Sequence, residues 1–295
     1  MVQKLASLLS ARNLLKLWPS EQSQDVISMA SKSYGSGSTR PLLVMHAALS
    51  WKDDWDDFCV DVLRHANPQR KIINFDLRNH GDSPRCEPHT YPCIAEDIRL
   101  SFTEHQLSKA AILGHSMGGF GGMYFALKYP HLVDRLIVVD VSPVSTNLAT
   151  LQMEELLRFI MDVEIPTQIM PLKEAQERIT KQLGNSKKDN SMRHVILNNF
   201  VQRPYGFGWR TDVPAIVNYL RHWINFPVVP GRNFAGPTLF IRGGDSQYIP
   251  ETDHRQILEF FPNAEVQTIE GAGHFLHLQK PKEFRRVCLE FLNVC

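Results

Sequence analysis

The sequence predicts an α/β protein, in which a mostly parallel sheet carries helices on both faces. Two observations predict this class: short apolar runs alternate with helix-patterned segments, and a single long interval interrupts the alternation. Short strands that are apolar throughout are typical of a parallel sheet covered on both sides. A chain of 295 residues, 43% of them hydrophobic, is sufficient for one large core. We therefore expect one domain over residues 21–295.

The apolar runs predict six strands, at Leu42–Met45, Ile72–Phe75, Ala110–Leu113, Leu136–Val139, Thr238–Ile241 and Val266–Ile269. Helical patterning between or after these runs predicts helices at Trp55–His65, Ile94–His105, Gly118–Tyr129, Thr252–Phe260 and Pro281–Asn293. Strand–helix alternation of this kind favours parallel strands joined by crossover helices.

The interval from about 144 to 226 contains no buried strand pattern and is predicted to be helical. Its helical segments are Leu148–Val163, Pro171–Leu183, Met192–Phe200 and Val213–Ile224. An insertion of this size, after the strand that ends at Asp140, predicts a cap over the carboxyl edge of the sheet. That edge is where open α/β sheets bind their ligands. A separate helical domain without a role in the site is the alternative.

The charge balance excludes several classes of protein. Lys and Arg number 32 and Asp and Glu 31, which leaves a formal net charge of +1. Proteins that bind nucleic acid or a membrane surface normally carry a basic excess, and this chain has none. No apolar run approaches the roughly 18 residues that a membrane-spanning helix needs. We therefore expect no nucleic-acid partner and no transmembrane segment.

Cysteine usage and the glycine patterns argue against a metal or a cofactor. Five scattered cysteines without a C-x-x-C pair predict free thiols in a reducing compartment. The sequence has neither the phosphate-binding loop pattern nor the dinucleotide fingerprint. His274 and His277 form an H-x-x-H pair, which is a weak metal signal without further ligands. We expect no cofactor and no metal.

Residues 1–20 have the composition of a mitochondrial presequence. They contain Lys4, Arg12 and Lys16, several serines and no acidic residue. The leucines surround the helical wheel instead of following one face, which leaves an N-terminal helix that frays or docks on the domain as the alternative.

The string Gly114-His115-Ser116-Met117-Gly118 predicts a nucleophile elbow. It is a G-x-S-x-G pattern between a predicted strand and a predicted helix, the context in which a serine hydroxyl is held at the tip of a sheet. The backbone N–H of Met117, at the helix N-terminus, then points to where an oxyanion forms. A serine hydroxyl needs a general base to act as a nucleophile. His274 follows the last predicted strand, where this fold places that base.

The acid that completes a triad has two candidates. Asp140 ends an apolar strand, and a carboxylate in that position needs a buried partner. Asp245 lies in the turn after the next-to-last strand, which is the commoner place for the acid of such a triad. The usual spacing of that turn, counted forward from Gly243 and back from Pro250, puts the acid one residue later, at Ser246. The spacing therefore favours Asp140, with Asp245 as the second candidate and Asp212 as a more distant one.

The second oxyanion donor is expected in the loop His46-Ala47-Ala48-Leu49-Ser50, from the amide of Ala48. The residue after the histidine is usually glycine in this fold. If the backbone there needs a positive φ, alanine costs about 1–2 kcal/mol, and the donor is less well aligned. This departure is the feature of the sequence that most weakens an enzymatic interpretation.

Five strings resemble the α/β-hydrolase superfamily, and within it the abhydrolase domain-containing protein 11 group with its short-chain bacterial esterase relatives. They are NHGDSP (79–84), GHSMGG (114–119), VDVSPV (139–144), GPTLFIRGGDSQY (236–248) and GAGHFLH (271–277). The resemblance runs from about Pro41 to the C-terminus. It implies a nucleophile at Ser116 and a base at His274, and in the bacterial relatives an acid at Asp140. The group usually reads His-Gly-Leu-Phe-Gly where this chain has residues 46–50.

The resemblance implies a serine hydrolase of carboxylic esters, with acylglycerol lipase activity in animal members. It also implies a location in the mitochondrial matrix and a link to the 2-oxoglutarate dehydrogenase complex. Apolar residues of the predicted cap are expected either to line an acyl pocket or to form the cap's own core; they are Phe159, Ile160, Phe200 and Phe207. The alternatives to an esterase are a thioesterase and a catalytically weak protein that docks on a mitochondrial enzyme complex.

Overall fold

A computed structural model of the chain describes residues 25–144, 148–183, 190–220, 226–227, 229 and 231–293. The strands in these residues are β1 (Ser31–Met45), β2 (Arg70–Phe75), β3 (Ala110–His115), β4 (Val133–Val139), β5 (Phe200–Arg203), β6 (Gly206–Trp209), β7 (Thr238–Gly243) and β8 (Ala264–Ile269). The helices are α1 (Asp56–His65), α2 (Tyr91–Glu104), α3 (Met117–Lys128), α4 (Leu148–Asp162), α5 (Leu172–Leu183), α6 (Asn190–Asn199), α7 (Val213–Asn218), α8 (His254–Phe260), α9 (Leu276–Gln279) and α10 (Pro281–Leu292). The predicted presequence, residues 1–20, lies outside the described residues.

The main sheet has six strands in the order β2-β1-β3-β4-β7-β8, and the predicted α/β fold is confirmed. From β1 to β8 each neighbouring pair is parallel. Each of the six predicted apolar runs lies within one of these strands. The parallel arrangement brings the carboxyl ends of β3, β4, β7 and β8 to one edge of the sheet.

The first strand is longer than predicted. In its early half, Ser31 pairs with Phe75 and Tyr34 with Ile72, which is the register of antiparallel strands. In its late half, Leu42–Met45 pair with Ile72–Phe75 in parallel. Gly35, with a φ of 67°, lies in the segment that joins the two halves. The early half is rich in Ser, Gly and Thr, so that its sequence carries no apolar strand signal.

Alternate residues of the central strands are buried on opposite faces of the sheet. Leu43 belongs to a hydrophobic cluster with residues of α2 and α3, whereas Leu42 and Val44 belong to a second cluster with residues of α1 and α10. Both faces are therefore covered, which is why the strands are apolar throughout.

The segment between β4 and β7 forms helices α4 to α7, close to the predicted bounds, and one unpredicted element. β5 and β6 pair as a short antiparallel hairpin, which the prediction of a helical interval without a buried strand did not include. These strands have four residues each, of which only Phe200 is buried, and so short a pattern cannot be distinguished from helix in the sequence. Leu157, Ile179 and Ile216 are fully buried in the same cluster as α2 and α3, so the segment packs on the main domain.

No helix in the described part of the chain has both the length and the apolar character needed to cross a membrane.

Candidate active site

Ser116 occupies a sharp turn between β3 and α3. Its backbone has φ 51° and ψ −112°, a region that is strained for any residue except glycine. A Cβ at Gly114 would lie 2.2 Å from the carbonyl oxygen of Gly118, and one at Gly118 would lie 2.6 Å from that of Met45. Both glycines are therefore required by close backbone approach. The structure has the strand, turn and helix that the sequence predicts around Ser116.

Asp140 and His274 meet at the same edge of the sheet. Asp140 follows β4 and is fully buried, and its Oδ2 accepts a hydrogen bond from His274 Nδ1 at 2.8 Å. Two further donors satisfy the carboxylate: Gly243 N–H on Oδ1 at 3.0 Å and Ser246 Oγ–H on Oδ2 at 2.5 Å. With Nδ1 donating, the lone pair of the imidazole is on Nε2. That atom is buried and has no hydrogen-bond partner among the described residues.

Of the two acid candidates, the structure brings Asp140 to His274. The side chain of Asp245 is exposed, and its backbone N–H donates to Ala272 O at 2.9 Å. Ser246, which occupies the place that the turn count predicts for the acid, instead donates to Asp140. The spacing of the turn predicts this place but not the role of the Ser246 hydroxyl, because a serine in a turn carries no signal of a buried partner. Asp212 accepts from Ala215 N–H at 3.2 Å and so caps α7.

His274 is held by three contacts, two on its ring and one on its backbone carbonyl. Asp140 binds Nδ1, Tyr248 stacks on the ring with a centroid separation of 3.9 Å, and His115 Nε2–H donates to the His274 carbonyl at 2.9 Å. Ser116 lies beside this group, because its backbone N–H donates to Val139 O, one residue before Asp140. The structure contains no hydrogen bond to His274 Nε2, so the described residues do not include a formed Ser116–His274 bond. Such catalytic hydrogen bonds often tighten only when substrate is bound.

One residue of the loop His46–Ser50 has a positive φ. Ala47 is outside the left-handed region, and Leu49 is in it, with φ 62°. The condition under which alanine would be strained is therefore not met at Ala47, and alanine costs nothing of this kind there. The carbonyl of Ala47 accepts from His46 Nδ1–H at 2.8 Å and from Ser50 N–H at 3.2 Å.

Two backbone N–H groups remain available at the edge of the sheet. Because a trans peptide is planar, its N–H points opposite to its C=O, and the bonds to Ala47 O therefore fix the direction of the Ala48 N–H. Neither Ala48 N–H nor Met117 N–H donates to another described residue. Met117 is the first residue of α3, where the N–H groups have no partner within the helix.

Two further histidines pack around this group and are held neutral. Burial lowers the pKa of His277 to about 3 and that of His115 well below its usual value, and His274 nearby adds to both effects. His277 stacks on Trp55 with a ring-centroid separation of 4.3 Å, so of the two histidines of the H-x-x-H pair His277 has a packing role. In the described residues no three His, Cys, Asp or Glu side chains are arranged to hold a metal ion.

Comparison with known proteins gives a consistent result. The family model of the alpha/beta hydrolase fold matches residues 40–281. The chain is 33% identical over 259 residues to the sn-1-specific diacylglycerol lipase ABHD11 of Danio rerio, which covers 88% of this chain and 80% of that protein. It is 26% identical to the esterase YbfF of Escherichia coli strain K12, over 90% of this chain and 97% of that protein. A solved marine microorganism esterase, 27% identical, superposes with a TM-score of 0.81 over 90% of this chain and 99% of that one.

The strain at residue 116 predicts an unusual order of stabilities. Ser116→Gly and Ser116→Ala both remove the hydroxyl, but only glycine accepts the observed φ and ψ without strain. Relief of about 1–3 kcal/mol, less about 0.5–1 kcal/mol for the entropy of glycine, leaves the glycine variant more stable by about 1 kcal/mol. Urea denaturation of the two variants measures this difference, and an alanine variant that is equally or more stable would contradict it.

Buried neutral histidines predict a loss of stability in acid. The unfolded chain binds a proton at His277 below about pH 6.5, whereas the folded chain does so only near pH 3. The free energy of unfolding therefore falls as pH decreases through this window, by about 1.4 kcal/mol per pH unit at most for this residue. His277→Phe, which keeps an aromatic ring against Trp55, is expected to flatten the slope measured by urea denaturation at pH 7, 6 and 5. The exposed His131→Phe change is the control, and an equal slope in both variants would refute the assignment.

Proposed function

The chain belongs to the α/β-hydrolase fold family, and from that premise we propose that it is a serine hydrolase of carboxylic esters. The observation that carries the proposal is the 2.8 Å bond between His274 Nδ1 and Asp140, which leaves a lone pair on Nε2 at the edge where Ser116 lies. The strained backbone of Ser116 supports it, since strain of this kind concentrates at functional sites. The relatives named as a lipase and an esterase favour the same class of reaction.

In the proposed mechanism, His274 Nε2 takes the proton of Ser116 as Oγ attacks the ester carbonyl carbon. The N–H groups of Met117 and Ala48 donate to the developing oxyanion, a contribution of about 10²–10³ in rate for each donor. His274 then gives the proton to the departing alcohol, which leaves an acyl group on Ser116. Water, deprotonated by His274, attacks this acyl-enzyme and releases the acid. Asp140 holds the imidazole tautomer and stabilises the imidazolium.

For the substrate we propose short or medium acyl esters, including acylglycerols. The support is the pair of half-buried aromatic residues in the segment between β4 and β7, described below, and the lipase named above. Ile160 and Phe200 are fully buried and belong to the core of this segment. Phe159 and Phe207 are half-buried, which makes these two the better candidates for contact with an acyl chain. A thioesterase is distinguished by comparing an oxygen ester and a thioester of the same acyl group.

A catalytically weak partner protein of a 2-oxoacid dehydrogenase complex loses its main support. The supporting feature of that alternative is the alanine at residue 47, where glycine is usual. The structure has its left-handed residue at Leu49 and not at Ala47, so the alanine costs no strain. For the location we retain the mitochondrial matrix as a proposal, supported by the acid-free, basic composition of residues 1–20. Microscopy of the tagged full-length chain with a mitochondrial marker tests it.

The proposed nucleophile predicts covalent labelling at one residue. The protein incubated with a fluorophosphonate is expected to gain the mass of a single adduct, measured on the intact chain, because only an activated serine attacks phosphorus at neutral pH. Ser116→Ala, confirmed as folded by circular dichroism, is expected to remain unlabelled. A folded wild-type protein without an adduct would overturn the proposed function.

Substitutions of the two acid candidates are expected to differ in their effect on kcat. Asp140→Asn is expected to lower kcat by about 10⁴-fold, because the wrong imidazole tautomer is then held against Ser116. Asp245→Asn, a matched change at the exposed neighbouring candidate, is expected to leave kcat within about twofold. Hydrolysis of p-nitrophenyl butyrate measures both. Equal losses, or a larger loss at Asp245, would contradict the assignment of Asp140.

A further inference from the structure

The loop His46–Ser50 contains a turn that is unfavourable by itself. Ser50 N–H donates to Ala47 O at 3.2 Å, which closes a four-residue turn, and Leu49 is its third residue with φ 62°. A turn with a positive φ only at the third position normally has glycine or asparagine there. A leucine stays in this conformation only when the surrounding structure holds it.

A side chain from the segment between β4 and β7 binds the backbone of Leu49 in this conformation. Asn199, the last residue of α6, donates one Nδ2 hydrogen to Leu49 O at 2.8 Å. It donates the other to Thr211 Oγ1 at 2.7 Å, and its Oδ1 accepts from Thr211 N–H at 3.1 Å. These bonds fix the orientation of the amide, since a flipped amide would place its oxygen against Leu49 O and its NH₂ against Thr211 N–H. Asn199 is fully buried, 150 residues from Leu49 in the sequence.

Two peptide planes connect Asn199 to the N–H of Ala48. The carbonyl that Asn199 binds belongs to the peptide between Leu49 and Ser50, whose N–H points the opposite way and donates to Ala47 O. Ala47 O in turn belongs to the peptide that carries the Ala48 N–H. The direction of that N–H therefore depends on the Asn199 bond through two rigid units.

We propose that Asn199 is a positioning residue for the oxyanion hole, which it orients by holding the carbonyl of Leu49. The inference rests on the proposed function, in which Ala48 N–H donates to the oxyanion. It makes the inserted segment part of the catalytic apparatus, because catalysis then requires that α6 stay docked on the loop. His46 restrains the same peptide from the other side, through Nδ1–H to Ala47 O, while its Nε2 accepts from Leu77 N–H at 3.0 Å.

The test compares Asn199→Ala with Thr211→Val in the full-length chain. Asn199→Ala removes the bond to Leu49, whereas Thr211→Val removes the other acceptor of the same amide and leaves the Leu49 bond in place. With p-nitrophenyl butyrate we expect Asn199→Ala to lower kcat about 10- to 100-fold with KM within about twofold, because an oxyanion donor contributes only in the transition state. Thr211→Val is expected to keep kcat within about threefold.

A tetrahedral inhibitor separates positioning from general structural damage. A trifluoromethyl ketone forms an oxyanion adduct with a serine nucleophile, so its Ki is expected to rise by the same factor by which Asn199→Ala lowers kcat/KM. Asn199→Asp, which keeps the size and the acceptor for Thr211 N–H but loses the donor, is expected to behave alike. A Ki that does not follow kcat/KM, or a kcat loss no larger than that of Thr211→Val, would overturn the proposal.

Three other outcomes are also informative. If neither Asn199 variant keeps a cooperative thermal transition, Asn199 is a structural residue and the proposal is wrong. A wild-type protein without esterase activity or fluorophosphonate labelling defeats the proposed function itself. An active wild type with fully active Asn199 variants defeats only the positioning role.

Discussion

The buried carboxylate of Asp140 is the group on which the arrangement of the site depends. A charge that is fully removed from solvent is tolerated only when hydrogen bonds replace its hydration, and three donors converge on it from β7, from the turn after β7 and from the loop after β8. Those three segments come together only because the parallel sheet ends them at one edge. Removing any of the donors leaves part of a buried charge unsatisfied, so the geometry of His274 and the local stability are linked.

Backbone strain gathers at the same edge. Ser116, Asp140 and Leu49 have φ values of 51°, 50° and 62°, and all three are non-glycine residues in the positions that the proposed mechanism uses. The energy of each strained residue is offset by contacts that a relaxed backbone would lose: close packing of Gly114 and Gly118, the donors on Asp140, and the Asn199 bond to Leu49. Because these contacts hold each strained residue, the donors and acceptors keep fixed directions before substrate binds. This is what preorganisation of the site means in physical terms.

The sequence predicted the features that depend on residues close together in the chain. It did not predict the features that depend on contacts between distant residues. Apolar alternation located the six sheet strands, and the strand–glycine–serine–glycine–helix pattern located Ser116, because both signals lie within a few residues. The position of Asp140 after a strand, together with the spacing of the turn around Asp245, favoured Asp140. The left-handed conformation of Leu49 could not be predicted, because the contact that accompanies it is the bond to Leu49 O from Asn199, 150 residues away. The hairpin of β5 and β6 was missed because four-residue strands carry no decisive periodicity.

The central claim is that Met117 N–H, Ala48 N–H and the Asp140–His274 pair are arranged for an oxyanion on Ser116 before any ligand binds. A crystal structure of the protein phosphonylated at Ser116 tests this most directly. The account predicts a phosphonyl oxygen at about 2.7–3.1 Å from both amide nitrogens, with the loop His46–Ser50 and the bond from His274 to Asp140 unchanged. An oxygen that faces away from Ala48, or a loop that has refolded to reach it, would contradict the account.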